Sequence, residues 1–209
     1  MENKTNQHRL IPFIAKNTIK LILAGALIGI FHQYDHLVAG FLMVYLFYTL
    51  MGKFRENDDE KWIYIIGVIL TSIFGVACES WGISNEYWSY HGLDNHREFP
   101  YWLPIAWALA FTYIYRIEKE IILIKNIKST PSKILLALVI SMVFPTIGEM
   151  VVINFGAWTY HWPFKFLGVP LLAVILLMVL HTGINFLLMG ICKQLKIQDV
   201  VFSLKLNKG

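Results

Sequence analysis

ESWGISNEYWSYH (79–91) and EMVVINFGAWTYH (149–161) carry one pattern twice, in the same register. Glu79 is followed nine residues later by Trp88-Ser89-Tyr90-His91, and Glu149 at the same distance by Trp158-Thr159-Tyr160-His161. A proline closes each copy at a matching distance from its Glu, Pro100 in the first and Pro170 in the second. Hydrophobic segments resemble one another through composition alone, but an in-register Glu, Trp, hydroxyl, Tyr, His and Pro does not arise that way. Each Glu lies in an apolar run of membrane-spanning length, where an ionisable side chain is costly and marks a candidate functional site.

Around these copies the chain is 56% hydrophobic and 15% charged over 209 residues, with a mean hydropathy of +0.55. The apolar residues fall in long blocks, as in a polytopic membrane protein. Six spans fit them, at about 17–33, 36–52, 62–82, 99–116, 133–154 and 168–192, each near the ~20 residues that cross the hydrocarbon core. Only helices satisfy the backbone over such runs. The predicted fold is therefore all-α, a membrane helix bundle forming one domain over residues 1–209. Residues 17–52 make an N-terminal hairpin, 62–116 the first repeat and 133–192 the second. Two spans per copy predict repeats inserted in the same direction, related by an axis near the membrane normal.

Lys and Arg set the orientation. Sixteen fall in the two tails and the second and fourth loops, against Arg97 and Lys165 in the other loops. The positive-inside rule then puts both termini in the cytoplasm, in a cell inner or plasma membrane. The tail up to Lys20 is polar and basic, with no apolar stretch or cleavage site before the first span, so no removable signal peptide is expected. Cys78 and Cys192 fall near opposite faces, which excludes a disulfide. The net charge of +4 comes without a phosphate loop, zinc-finger spacing or RNA-binding signature, so nucleic acid is not an expected partner.

Depth strengthens the case for the two Glu residues. Glu79 lies 17 residues beyond Trp62 and Glu149 lies 16 beyond Lys133, which places both roughly 25 Å up their helices. Gly75 and Pro145, helix breakers, stand four residues upstream of each, and a proline there bends the helix and opens space. Two nearby carboxyls in apolar surroundings suit an acid/base pair, one protonated and one ionised; the alternative is a pair of carboxylates that fix the loops. Aromatic residues crowd the same side. Trp and Tyr form interfacial belts, but Trp88 and Trp158, duplicated in register, are candidates for a ring-lined pocket that stabilises a cation. Trp107, Tyr90, Tyr160, His91, His161 and His181 complete the candidate substrate-binding set. His181, deep in the sixth span with Asn185 one turn on, needs a polar partner in lipid. His32 and His36 flank Asp35 at a spacing that suits a metal on one helix face, but the pattern lacks the zinc-protease Glu, and no metal is assigned.

The runs Gly148-Glu149, Gly156-Ala157-Trp158-Thr159-Tyr160 and Leu167-Gly168-Val169-Pro170 resemble the integral-membrane carotenoid hydratases of the bisanhydrobacterioruberin type. They are also similar to the small lycopene cyclase domains, which share a W-x-Y, spacer, G-x-P pattern. Glu79 to Gly82, Trp88 to Tyr90, Pro100, Pro104 and Trp107 resemble the upstream hydratase motif, and the likeness covers about residues 75–180. Glu149-Met150 stands where an Asp-Pro pair is expected, and Leu171-Leu172 where the family has Asn. The resemblance implies an enzyme acting on a lipid-soluble isoprenoid that enters from the surrounding membrane lipid. A neutral carboxylic acid protonates a trisubstituted double bond, aromatic faces shield the carbocation, and a second carboxylate activates water or removes a proton. This chemistry is hydration, cyclisation or isomerisation, and it needs no cofactor. Two other readings stay open from the residues: a small-molecule transporter or binding protein built on duplicated halves, and a structural membrane subunit whose outer loops dock a partner.

Overall fold

The computed structural model describes residues 2–55, 60–94 and 97–202, the side chains of 2–9 excepted. Its α-helices are α1 Glu2–Phe31, α2 Asp35–Arg55, α3 Glu60–Ser84, α4 Leu103–Lys125, α5 Thr130–Asn154 and α6 Leu171–Gln194. A 3-10 turn, His32–Tyr34, joins α1 to α2. Among the described residues four helical stretches are long and apolar enough to cross a membrane: Leu10–Arg55, which takes in α1 and α2, and then α3, α5 and α6. Their outward faces stay apolar, with Val44 70% and Tyr48 75% exposed, as expected of surfaces that meet lipid rather than water.

α4 differs from the others and organises the bundle. It packs chiefly on α3 and also against α1, α2 and α5. Twelve of its residues are buried, against four on α5. A helix buried on several sides must be apolar nearly all round, and from Leu103 to Tyr115 this one is. Beyond that point the expected loop from 116 to 132 is a correction: α4 continues to Lys125, and only 126–129 connect it to α5. Its charges are tolerated because they find partners. Glu118 Oε1 lies 2.7 Å from His181 Nε2, and Lys119 pairs with Glu60 at 2.7 Å. Asn126, in the left-handed region at φ 51°, ends the helix and returns its N–H to the carbonyls of Ile122 and Leu123, a C-terminal cap.

α3 is fitted to α4 through absent side chains. A Cβ at Gly67 would meet the Phe111 ring at 2.0 Å, and one at Gly75 would meet Trp107 at 2.4 Å. Gly75, expected to loosen the helix, is instead the recess that seats the Trp107 indole. Ser72 adds a hydrogen bond to the Pro104 carbonyl at 2.9 Å.

The fold is all-helical as expected, and among the described residues four short strands lie in its loops. β1 Trp88–Tyr90 pairs antiparallel with β2 Trp158–Tyr160, matching Trp88 with Tyr160, Ser89 with Thr159 and Tyr90 with Trp158. β3 Lys165–Phe166 pairs with β4 Val169–Pro170. The two residues between them, Leu167 and Gly168, have φ of 50° and 87°, the backbone of a type I′ hairpin turn. Pro170 then caps the start of α6. Pro100 and Pro170 are both fully buried where the chain turns toward the next helix.

Candidate functional site

Strand periodicity explains the W-x-Y spacing. Residues i and i+2 of a strand share a face, so the ribbon presents Trp88, Tyr90, Trp158 and Tyr160 to the bundle. All but Tyr90 are buried, and Tyr90 is partly so. Their rings interlock at steep angles across the strands, Trp88 with Tyr160 at 5.6 Å and Tyr90 with Trp158 at 5.5 Å between centroids. Trp102 extends the cluster, 6.0 Å from Tyr90 and 6.2 Å from Trp158. Such pairs add roughly 0.5–1.5 kcal/mol each beyond their buried area.

The ribbon hangs its polar atoms over the two carboxylates. Glu79 Oε2 accepts from Trp88 Nε1 at 2.8 Å and from the Tyr90 hydroxyl at 2.9 Å, and Trp107 lines the same cavity. Glu149 Oε2 accepts from the Tyr160 hydroxyl at 2.8 Å. Each Glu is thus tied to the tyrosine eleven residues beyond it. Gly82, one turn past Glu79, makes room for this, since a Cβ there would lie 1.9 Å from the Trp88 ring. Burial, and then the neighbouring carboxylates, push the Tyr90 and Tyr160 phenols well above the usual tyrosine range, so both remain donors.

Glu79 and Glu149 line one cavity of about 130 Å³ with Tyr90, Trp102, Trp107, Tyr113, Trp158, Pro145 and aliphatic residues of α1, α2, α4, α5 and α6. Of the residues expected to form the site, Glu79, Glu149, Tyr90, Trp107 and Trp158 line this cavity, and Trp88 and Tyr160 hold its carboxylates. Trp102 and Tyr113 also line it, although no repeat marks them. Trp102 is 2% exposed, and its buried indole N–H has no partner among the described residues. Its signal in the sequence is only its place in an aromatic-rich segment.

The three histidines lie elsewhere. His91 and His161 follow the inward tyrosines and so fall on the opposite, exposed face of the ribbon. His91 Nε2 is hydrogen-bonded to Thr159 Oγ1 at 2.8 Å, and His161 Nε2 to Ser89 Oγ at 3.0 Å. The backbone repeats the exchange, His91 N donating to the Ala157 carbonyl at 2.9 Å and His161 N to the Tyr87 carbonyl at 2.7 Å. His181 faces Glu118, with Asn185 Nδ2 3.4 Å from Glu118 Oε2, and does not border the cavity. An expected loop at Glu118 hides that partner from the sequence.

His32 and His36 are also accounted for by local bonds. His32 Nδ1 is 2.7 Å from the Gly29 carbonyl, and His36 Nδ1 is 2.9 Å from Asp35 Oδ1. Asp35 in turn binds Arg97 and accepts from the Tyr101 N–H at 3.3 Å, clasping the α1–α2 turn to the segment before α4. Among the described residues no group of three or more His, Cys, Asp or Glu is placed to hold a metal ion. No family model matches this chain, and neither the curated proteins nor the solved structures contain a match to it.

Proposed function

We propose that the chain is a membrane enzyme that protonates an isoprenoid double bond and resolves the resulting carbocation by hydration, cyclisation or isomerisation. The observation that carries this reading is the placement of Glu79 and Glu149 in the wall of one small cavity faced with aromatic rings. Ionisable groups at membrane depth are functional candidates by default, and two carboxyls in a ring-lined space match the needs of this chemistry.

Hydrogen bonding assigns the roles. Hydrogen bonds to a carboxylate favour its charged form, and among the described residues Glu79 has two donors where Glu149 has one. Glu149 is therefore the acid and Glu79 the base. The Glu149 O–H bond breaks, its proton forms a new C–H bond on the less substituted alkene carbon, and the other carbon becomes a tertiary cation. The faces of Trp107, Trp158 and Trp102 stabilise that cation. In hydration, water forms a C–O bond and gives its proton to Glu79; in isomerisation or cyclisation Glu79 takes a proton from carbon. Proton return from Glu79 to Glu149 restores the pair, and no electrons are gained or lost.

Size limits what enters. An apolar cavity of ~150 Å³ holds one benzene-sized molecule, so about 130 Å³ takes one end of an isoprenoid while the rest stays outside. In the same reading the two sequence copies are parallel repeats in a six-span bundle, with α4 as its central member and both termini in the cytoplasm. The test is mass spectrometry of isoprenoid lipids from cells with and without the protein. A product gained by one water, or an isomer of unchanged mass, is expected, and Glu79→Gln and Glu149→Gln should each abolish it with the protein still inserted. Full product formation by both variants rejects the mechanism.

Proton-coupled transport is the second reading, favoured by the buried Glu118, His181 and Asn185 group away from the cavity. Proton uptake by reconstituted vesicles that is lost in Glu118→Gln, with no altered lipid, would select it.

A further inference from the structure

α1 and α2 leave the tight turn at His32–Tyr34 and touch each other little below it. The wedge between them is a groove of about 970 Å³, floored by Tyr113 and Arg116 of α4. That volume is near the top of the ~300–1,000 Å³ range of small-molecule sites. Its upper part is apolar and aromatic. The groove and the carboxyl cavity share Ala24, Leu42 and Tyr113 as wall residues, so the two spaces adjoin.

The charge is one-sided. Lys20, Lys53, Arg55 and Arg116 line the groove, and among the described residues no Asp or Glu does. Lys53 lies 3.7 Å from Glu60 and over the Tyr64 ring. Among the described residues, Lys20, Arg55 and Arg116 form no ion pair. Arg116 lies nine residues beyond Trp107 on α4, roughly 14 Å along the helix. A cation beside an apolar groove either snorkels to the surface or meets an anion.

We infer that the groove holds an isoprenoid phosphate, its anionic head against Lys20, Arg55 and Arg116 and its chain running past Tyr113 to Glu79 and Glu149. The inference rests on the enzymatic reading above and names its substrate class: a charged-headed, membrane-resident isoprenoid rather than a hydrocarbon. Phosphate recognition by Arg uses charge-assisted, bidentate hydrogen bonds, and Tyr45 and Tyr113, bonded to each other at 3.0 Å, sit where the head gives way to the chain.

The test is equilibrium binding to the full chain in phosphatidylcholine nanodiscs, comparing geranylgeranyl phosphate with geranylgeraniol and repeating with phosphatidylglycerol as competitor. The phosphate should bind at least about tenfold more tightly, the gain of one charge-assisted contact. Lys20→Gln should cost about fivefold, Arg116→Gln more, and Lys125→Gln, an exposed cation outside the groove, nothing. If Arg116→Gln fails to fold, Lys20→Gln at the half-exposed rim carries the test. Equal affinity for phosphate and alcohol overturns the inference, and so does displacement by an equal mole fraction of phosphatidylglycerol, which would make the occupant bulk anionic lipid. Binding that discriminates, without turnover, leaves the groove standing and rejects the carboxyl mechanism. Turnover of a neutral isoprenoid that both cation variants leave intact does the reverse.

Discussion

Gly82→Ala adds one methyl group where the structure has no space for it. The new Cβ would lie 1.9 Å from the Trp88 ring, where ordinary contact begins at 3.4 Å. The indole must therefore retreat by about 1.5 Å to recover van der Waals spacing. That movement stretches its 2.8 Å bond to Glu79 beyond hydrogen-bonding range. Overpacking costs ~1–3 kcal/mol and loss of a hydrogen bond to a charged group ~1.5–3 kcal/mol, while Ala in place of Gly returns ~1 kcal/mol of helix propensity. The net loss is about 2–5 kcal/mol. At ~2–4 °C per kcal/mol for a chain of this size, thermal unfolding in detergent should fall by roughly 4–20 °C. Gly40→Ala is the control, because nothing lies within 4 Å of its added Cβ and propensity alone should leave it as stable as the parent or slightly more so. Tryptophan emission should change in Gly82→Ala and not in Gly40→Ala. If both variants unfold with the parent and keep its emission, the Trp88 ring does not rest on Gly82 and the carboxylate is not held as described.

Three further outcomes follow from the same geometry. Tyr90→Phe removes a hydroxyl donor from Glu79, the ionised base, so turnover should fall about 10–100-fold, as expected for a hydrogen bond to a charged group; Tyr160→Phe removes the bond to Glu149, the neutral acid, and should cost about tenfold or less in the same assay. Glu118→Ala strands His181 and Asn185 and should destabilise the fold by about 3–5 kcal/mol in a denaturant melt, far more than His91→Ala on the exposed face of the ribbon. Asp199, beyond α6, has its carboxyl raised above the usual range by burial, against the opposing bonds from Tyr115 and the Val201 and Phe202 N–H groups. A raised folded-state value favours the fold below the ordinary aspartate range and penalises it as pH rises. Asp199→Asn should therefore gain stability relative to the parent at pH 8 and converge with it at pH 4; an equal difference at both values contradicts the burial cost.

Residue patterns make part of the site legible. Glu, Trp and Tyr recur at fixed spacings because a helix end, a three-residue strand and a buried proline must follow one another at set distances, and that constraint is local. The Gly67, Gly75 and Gly82 series is legible too, at a spacing of about two helical turns, but its meaning depends on Phe111, Trp107 and Trp88 lying opposite. His91 and His161 lie on the far face from the one expected because hydropathy cannot tell the two faces of a strand apart when both carry aromatic neighbours. Glu118 reads as loop since a cluster of charges from Arg116 to Glu120 ends an apolar run, although partners on α3 and α6 let the helix continue.

The chain by itself determined that long apolar helices carry two carboxylates at matching positions, each followed at the same distance by a Trp and a Tyr, because those relations are written within one short segment. Only the tertiary structure decided that the two loops join as one ribbon, that α4 lies among its neighbours, and that the carboxylates share a cavity adjoining a basic groove. Those relations depend on contacts between residues far apart along the chain, where packing and charge pairing choose the partner and no local spacing records the choice.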